Sequence, residues 1–152
     1  GVPVLIGGQV FPYAEHQRYW LEEVRPRLVG GHRFLGPLPF ARKRRLLAGA
    51  RCLLSASLAP ETSSLAAMEA LACGTPVIAF PSGALAEIVE DGVTGFLVRD
   101  VAEMAAAMRE VGRIDPAACR AAARRRFSEG RMVRAYLDLY GKLAGGVRHA
   151  AE

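Results

Sequence analysis

Apolar positions along this chain come in two rhythms that alternate from one end to the other. Short, nearly unbroken apolar runs at residues 1–6, 33–38, 51–55, 77–80 and 95–98 read as strands buried on both faces, the pattern of parallel pairing. Between them apolar residues recur at helical spacing, which predicts helices over 13–28, 40–50, 63–73 and 84–90. Three more follow over 101–111, 116–127 and 128–143. Pro26 should end or kink the first helix. Gly74-Thr75-Pro76 closes another with a glycine cap and a proline, and Asp91-Gly92 turns the chain into the last strand. Strands and helices alternating on short connections specify an α/β fold with a doubly wound parallel sheet, followed by C-terminal helices. Along the last helix Met132, Tyr136, Leu139, Tyr140 and Leu143 form an apolar stripe of the kind that normally packs into a core.

Composition narrows the class more than the function. With 152 residues, 51% hydrophobic and 23% charged, the chain suits one packed domain and not a disordered segment. No apolar run reaches the roughly 20 residues of a membrane helix. Arg51 interrupts the best candidate, Leu46 to Ala59, and no signal peptide opens the sequence. Cys52, Cys73 and Cys119 stand far apart with no CxxC pair, which fits neither a disulfide framework nor a zinc site. Cys52 and Cys73 are expected as small core residues in a reducing compartment. The net charge of +5 gathers in Arg42-Lys43-Arg44-Arg45 and Arg124-Arg125-Arg126. Each run joins an alanine- and leucine-rich helical pattern, so a solvated helix face is the first reading and a membrane surface the second. Nucleic acid is not expected, because no aromatic interleaving or DNA-binding motif accompanies the runs.

The chemistry concentrates between Pro60 and Val98. A loop carrying Glu61, the polar run Thr62-Ser63-Ser64, a helix carrying Glu69, a tight turn and a buried strand follow one another. The first N–H groups of a helix lack partners and sit at the positive end of its dipole, so the polar run suits an anion such as phosphate. Carboxylates beside that point accept hydrogen bonds from sugar or ribose hydroxyls. Doubly wound sheets bind ligands beyond the carboxyl ends of their strands, where Glu61 and the Gly83 loop fall. Two carboxylates also suggest glycoside hydrolysis, which is disfavoured because both lie on one loop-helix unit and approach from one side.

Glu61 and Glu69, separated by seven residues, precede Gly74-Thr75-Pro76-Val77. Ser82-Gly83-Ala84-Leu85-Ala86-Glu87-Ile88-Val89 and Asp91-Gly92-Val93-Thr94-Gly95-Phe96-Leu97-Val98 follow in order. Together these segments resemble the signature of the family 4 retaining glycosyltransferases of the GT-B fold. The resemblance implies a Rossmann-like C-terminal donor domain over residues 1–152, one part of a two-domain enzyme and lacking that domain's first strand and helix. It implies transfer of a sugar from a nucleoside-diphosphate donor to an acceptor with retention of configuration. Glu61 is then the catalytic residue and holds the donor sugar hydroxyls, while Glu69 holds the ribose. The N–H groups of Thr62, Ser63, Ser64 and Leu65, with the Gly83-Ala84 turn, receive diphosphate and sugar. Gly36 borders the nucleobase and Gly7-Gly8 the nucleotide, although a plain turn accounts for these glycines as well.

The nucleoside-diphosphate sugar is a substrate in this reading, so no cofactor and no metal are expected. The other expected partner is the acceptor-binding N-terminal domain of the parent. A cytoplasmic location follows, with a peripheral membrane position as the alternative. Two features depart from the family pattern. Thr62-Ser63-Ser64 stands where the family often has a small-aromatic run, which changes the expected sugar contact. The strand, the loop bearing an Arg and a Lys, and the helix that open the family domain are missing before Gly1. The strands at 2–6 and 52–55 should therefore either close on each other or leave an exposed edge. Two other readings remain: a nucleotide-sugar epimerase of the same fold, and a non-catalytic module whose basic helices bind membrane or polyanion.

Overall fold

The computed structural model describes residues 2–148, so Gly1 of the expected first strand lies outside the described residues. The chain divides after Lys43 into two compact units. In the first, β1 (Leu5–Ile6) leads into α1 (Ala14–Tyr19), which continues through a π-helical turn (Trp20–Val24) and a 3-10 turn (Arg25–Arg27) to β2 (Arg33–Phe34). Pro26 sits in that last tight turn, where its missing N–H ends the helix as its sequence position required. β1 and β2 pair in parallel, Leu5 opposite Arg33 and Ile6 opposite Phe34. His32 extends the ladder by accepting the Val4 N–H on Nδ1 at 2.9 Å. Trp20 covers the pair, its ring 4.5 Å from that of Phe34.

In chain order the helix α2 (Phe40–Gly49) precedes β3 (Leu53–Ser55), α3 (Leu65–Cys73), β4 (Val77–Ala79), α4 (Leu85–Ile88) and β5 (Gly95–Leu97). The helices α5 (Val101–Glu110), α6 (Pro116–Phe127) and α7 (Glu129–Arg148) complete the chain. Strands β3, β4 and β5 form a parallel sheet with β4 in the middle. Alternation along β4 assigns its two faces. Val77 and Ala79 pack with Leu71 of α3, Leu85 and Ile88 of α4, and Cys119 and Ala123 of α6. Ile78 packs with Met104 and Ala107 of α5 and with Val111. Helices therefore cover both faces, and the unit is an α/β sheet wound on both sides. Among the described residues β3 pairs only with β4 and β1 only with β2, so neither strand has a hydrogen-bonded neighbour on its other side.

Local chemistry sets the helix limits. Asp100 caps α5 by accepting the Glu103 N–H at 2.8 Å, and Glu103 reaches back to the Arg99 N–H at 2.8 Å. Asp115 caps α6 through the Ala117 N–H, ahead of Pro116 at its first position. Where two expectations met the packing, they changed. Met132, Tyr136, Leu139, Tyr140 and Leu143 do not enter a core: each is half exposed, because no element among the described residues lies over that face of α7. Cys52 and Cys73 are half-buried at the rim of the core, and only Cys119 is fully enclosed. Burial pushes the thiols of Cys52 and Cys119 up, which suits structural cysteines. No helix among the described residues is long and apolar enough to cross a membrane.

Leu71 joins α3 to the centre of the sheet and is fully buried. Leu71→Ala should destabilise the fold by about 2–5 kcal/mol, read from the urea unfolding midpoint.

Candidate functional site

The residues singled out in the larger unit converge on two connections that leave the same end of the sheet. One runs from β3 to α3 and carries Glu61; the other runs from β4 to α4 and carries Gly83. They meet backbone to backbone. The Ala84 N–H donates to the Glu61 carbonyl at 2.8 Å, and the Ser82 hydroxyl donates to the Leu58 carbonyl at 3.3 Å. Gly83 is where the approach is tightest. Its φ is +55°, and a Cβ there would lie 2.3 Å from the Glu61 oxygen and 2.6 Å from the Glu61 nitrogen. Both the left-handed backbone and the missing side chain are required.

The start of α3 is open to an anion. Ser64 is buried, and its carbonyl accepts the Met68 N–H at 3.1 Å, yet its hydroxyl makes no capping bond and the first turn holds no acidic residue. Dipole and uncapped N–H groups thus face the Thr62-Ser63 loop, whose two residues are exposed. Leu65, 70% exposed, and Glu69 stand one turn apart on the same face. Glu69 is half-buried with its Oε2 shielded from solvent, and Glu61 is half-buried. At the far end Gly74 takes the left-handed cap, and the Thr75 hydroxyl donates to the Leu47 carbonyl at 2.5 Å. That bond holds α3 at its base while its start faces the loops.

The other predicted glycines belong to the first unit. The Gly8 N–H donates to the Gly36 carbonyl at 3.0 Å, which brings these two together just past the strand pair, with Gly36 at φ +68°. Gly7 has Leu38 against it: a Cβ there would lie 2.5 Å from that side chain. Both observations fit a strand-ending turn. A recess of about 740 Å³ in the same unit, bordered by Ile6, Val10, Trp20, Val24 and Phe34, contains none of the predicted site residues. Its apolar floor is the partly covered face of the β1–β2 pair.

Sequence reasoning missed Arg125, Arg126 and Glu90. Both arginines pair with Glu90 Oε1 at 3.0 Å, and Arg126 also donates to the carbonyls of Glu87 and Ile88 at the end of α4. The run that read as a solvated helix face is thus partly a brace on the end of α4. Arg124 and Arg125 are both exposed, and Arg126 is half-buried. An arginine in the last turn of one helix and a glutamate 36 positions earlier share no local period that would have flagged them.

The family described as Glycosyl transferases group 1 matches residues 3–113. A D-inositol 3-phosphate glycosyltransferase of Salinispora tropica is 44% identical over 90 residues, 54% of this chain and 18% of that protein. One of the same name from Geodermatophilus obscurus is 55% identical over 53 residues, 34% of this chain and 12% of that protein. Among solved structures, AviGT4, a glycosyltransferase involved in avilamycin A biosynthesis, superposes with a TM-score of 0.75 at 25% identity. It covers 93% of this chain and 43% of that one. Anabaena HepE in complex with UDP and glucose gives a TM-score of 0.77 at 24% identity, over 91% of this chain and 40% of that one. The chain spans less than half the length of the proteins it matches. The fold is GT-B-like.

Gly83→Ala should cost more than about 2 kcal/mol, since strained φ and overlap with Glu61 act together. Urea unfolding checks the loss, and amide exchange at Ala84 should rise; an unchanged midpoint would mean that the two loops part freely.

Proposed function

The chain belongs to the group 1 glycosyl transferases, and we propose that it is the donor-binding half of a two-domain enzyme that transfers a sugar from a nucleoside diphosphate to an acceptor with retention of configuration. The observation that carries the reading is the seating of the Glu61 loop on the Gly83 turn just ahead of α3, a helix whose first turn has neither a side-chain cap nor a carboxylate. A diphosphate would take the N–H groups between Thr62 and Leu65, where the dipole offsets its charge without a metal. Glu69, one turn into α3, would accept both hydroxyls of the ribose. Glu61 would accept those of the sugar and act as the catalytic residue, with the Gly83-Ala84 backbone behind the sugar. The names of the curated relatives, D-inositol 3-phosphate glycosyltransferases, support a sugar-transfer chemistry. The acceptor would be held by a domain outside this chain.

A carboxylate on a diol contributes about 1–3 kcal/mol through charge-assisted hydrogen bonds. Glu69→Ala in the full-length protein should therefore weaken binding of a nucleoside-diphosphate sugar roughly tenfold to a hundredfold by calorimetry, with or without EDTA. Donor affinity that Glu69→Ala leaves unchanged would sink the assignment. In this reading residues 1–152 alone should not carry out multiple-turnover transfer, because the acceptor-side groups that would stabilise developing charge belong to the other domain. A turnover assay with radiolabelled donor checks this.

A further inference from the structure

The connection that seats Glu61 contains a helix too short to hold itself. α4 is four residues long, one turn, whereas isolated helices need on the order of 12–15 residues to be even marginal in water. Leu85 and Ile88 fix its inner side by burial. Arg126 takes two of its last carbonyls. The guanidinium donates to the Glu87 carbonyl and, at 3.2 Å, to that of Ile88. The same Nη1 donates to Glu90 Oε1 at 3.0 Å, and Arg125 shares that oxygen. Glu90 is itself anchored, its N–H donating to Thr94 Oγ1 at 2.9 Å, and Thr94 is fully buried. The guanidinium also rests 4.9 Å from the centre of the Phe127 ring. A fixed cation at a helix C-terminus, hydrogen-bonded to its carbonyls, is favoured by the dipole as well as by the bonds.

A continuous path therefore runs from the buried Thr94 through Glu90 and Arg126 to the end of α4, and from the start of α4 through Ala84 to the Glu61 carbonyl. Arg126 touches no part of the proposed donor site. We propose that Arg126 is a positioning residue for Glu61: by clamping α4 it fixes the Gly83-Ala84 turn, and with it the loop that aims the Glu61 carboxylate. The inference rests on the reading of Glu61 as a donor contact.

A brace that only stabilises the fold and one that acts through Glu61 differ in a double-mutant cycle. Donor binding is measured by calorimetry in the full-length protein for the unsubstituted chain, Arg126→Ala, Glu61→Ala and the double variant. The probe is the glucose conjugate of uridine, guanosine, adenosine or thymidine diphosphate that the unsubstituted protein binds most tightly. Arg126→Ala should weaken binding about tenfold when Glu61 is present and clearly less when it is absent, the remainder passing through the Gly83-Ala84 turn. Arg126→Lys, which keeps the charge but gathers its donors on a single nitrogen, should restore part of the affinity. Equal losses in both backgrounds overturn the inference alone. Glu61→Ala without effect, or no binding of any of the four conjugates, overturns the donor-site reading and the inference with it. If Arg126→Ala does not fold, Arg126→Lys takes its place in the cycle: a larger loss in the background that keeps Glu61 supports the inference, and equal losses overturn it.

Discussion

Two loops that leave one end of a parallel sheet must share the space beyond it, and here they meet backbone to backbone at Gly83. The Glu61 carbonyl and the Ala84 N–H meet at 2.8 Å because Gly83 contributes no atom that would hold them apart. The rest of the larger unit serves that contact. β4, buried on both faces, fixes where the Gly83 connection begins, and the helices α3, α4 and α6 on one face of it fix where both connections end. An acidic loop, a glycine turn and an uncapped helix start are each common, and it is their convergence that supports reading this corner as a donor site.

Much of this was legible in the residues. Pro26, Gly74 and Asp91-Gly92 punctuate the chain where the structure ends its elements, because glycine and proline act through their own backbones and need no distant partner. The strands are shorter than the apolar runs that mark them. Residues 1–6 and 33–38 are apolar enough for longer strands, but the ladder forms only at Leu5–Ile6 and Arg33–Phe34, since a ladder needs register as well as composition. The α7 stripe departs from expectation for a related reason: periodicity shows that a helix has an apolar face and is silent on what covers it. Arg126 was invisible for the opposite reason, its partners being remote in sequence and mostly backbone carbonyls, which leave no trace in side-chain pattern.

The likeness to solved structures follows the same division. At 24–25% identity the fold is kept to a TM-score of 0.75–0.77, because an alternation of buried strands and amphipathic helices can be met by many sequences of similar volume. Positions such as Gly83 are of another kind, fixed by atoms that must not be there.

The open face of α7 gives the molecule a second character. Twenty helical residues make a rod about 30 Å long, with Met132, two tyrosines and two leucines along one side. In water such a rod is a surfactant in miniature. Its uncovered side is a surface on which apolar matter of any kind can settle while the sheet stays intact, a property that belongs to this helix and not to the core that gives the protein its fold.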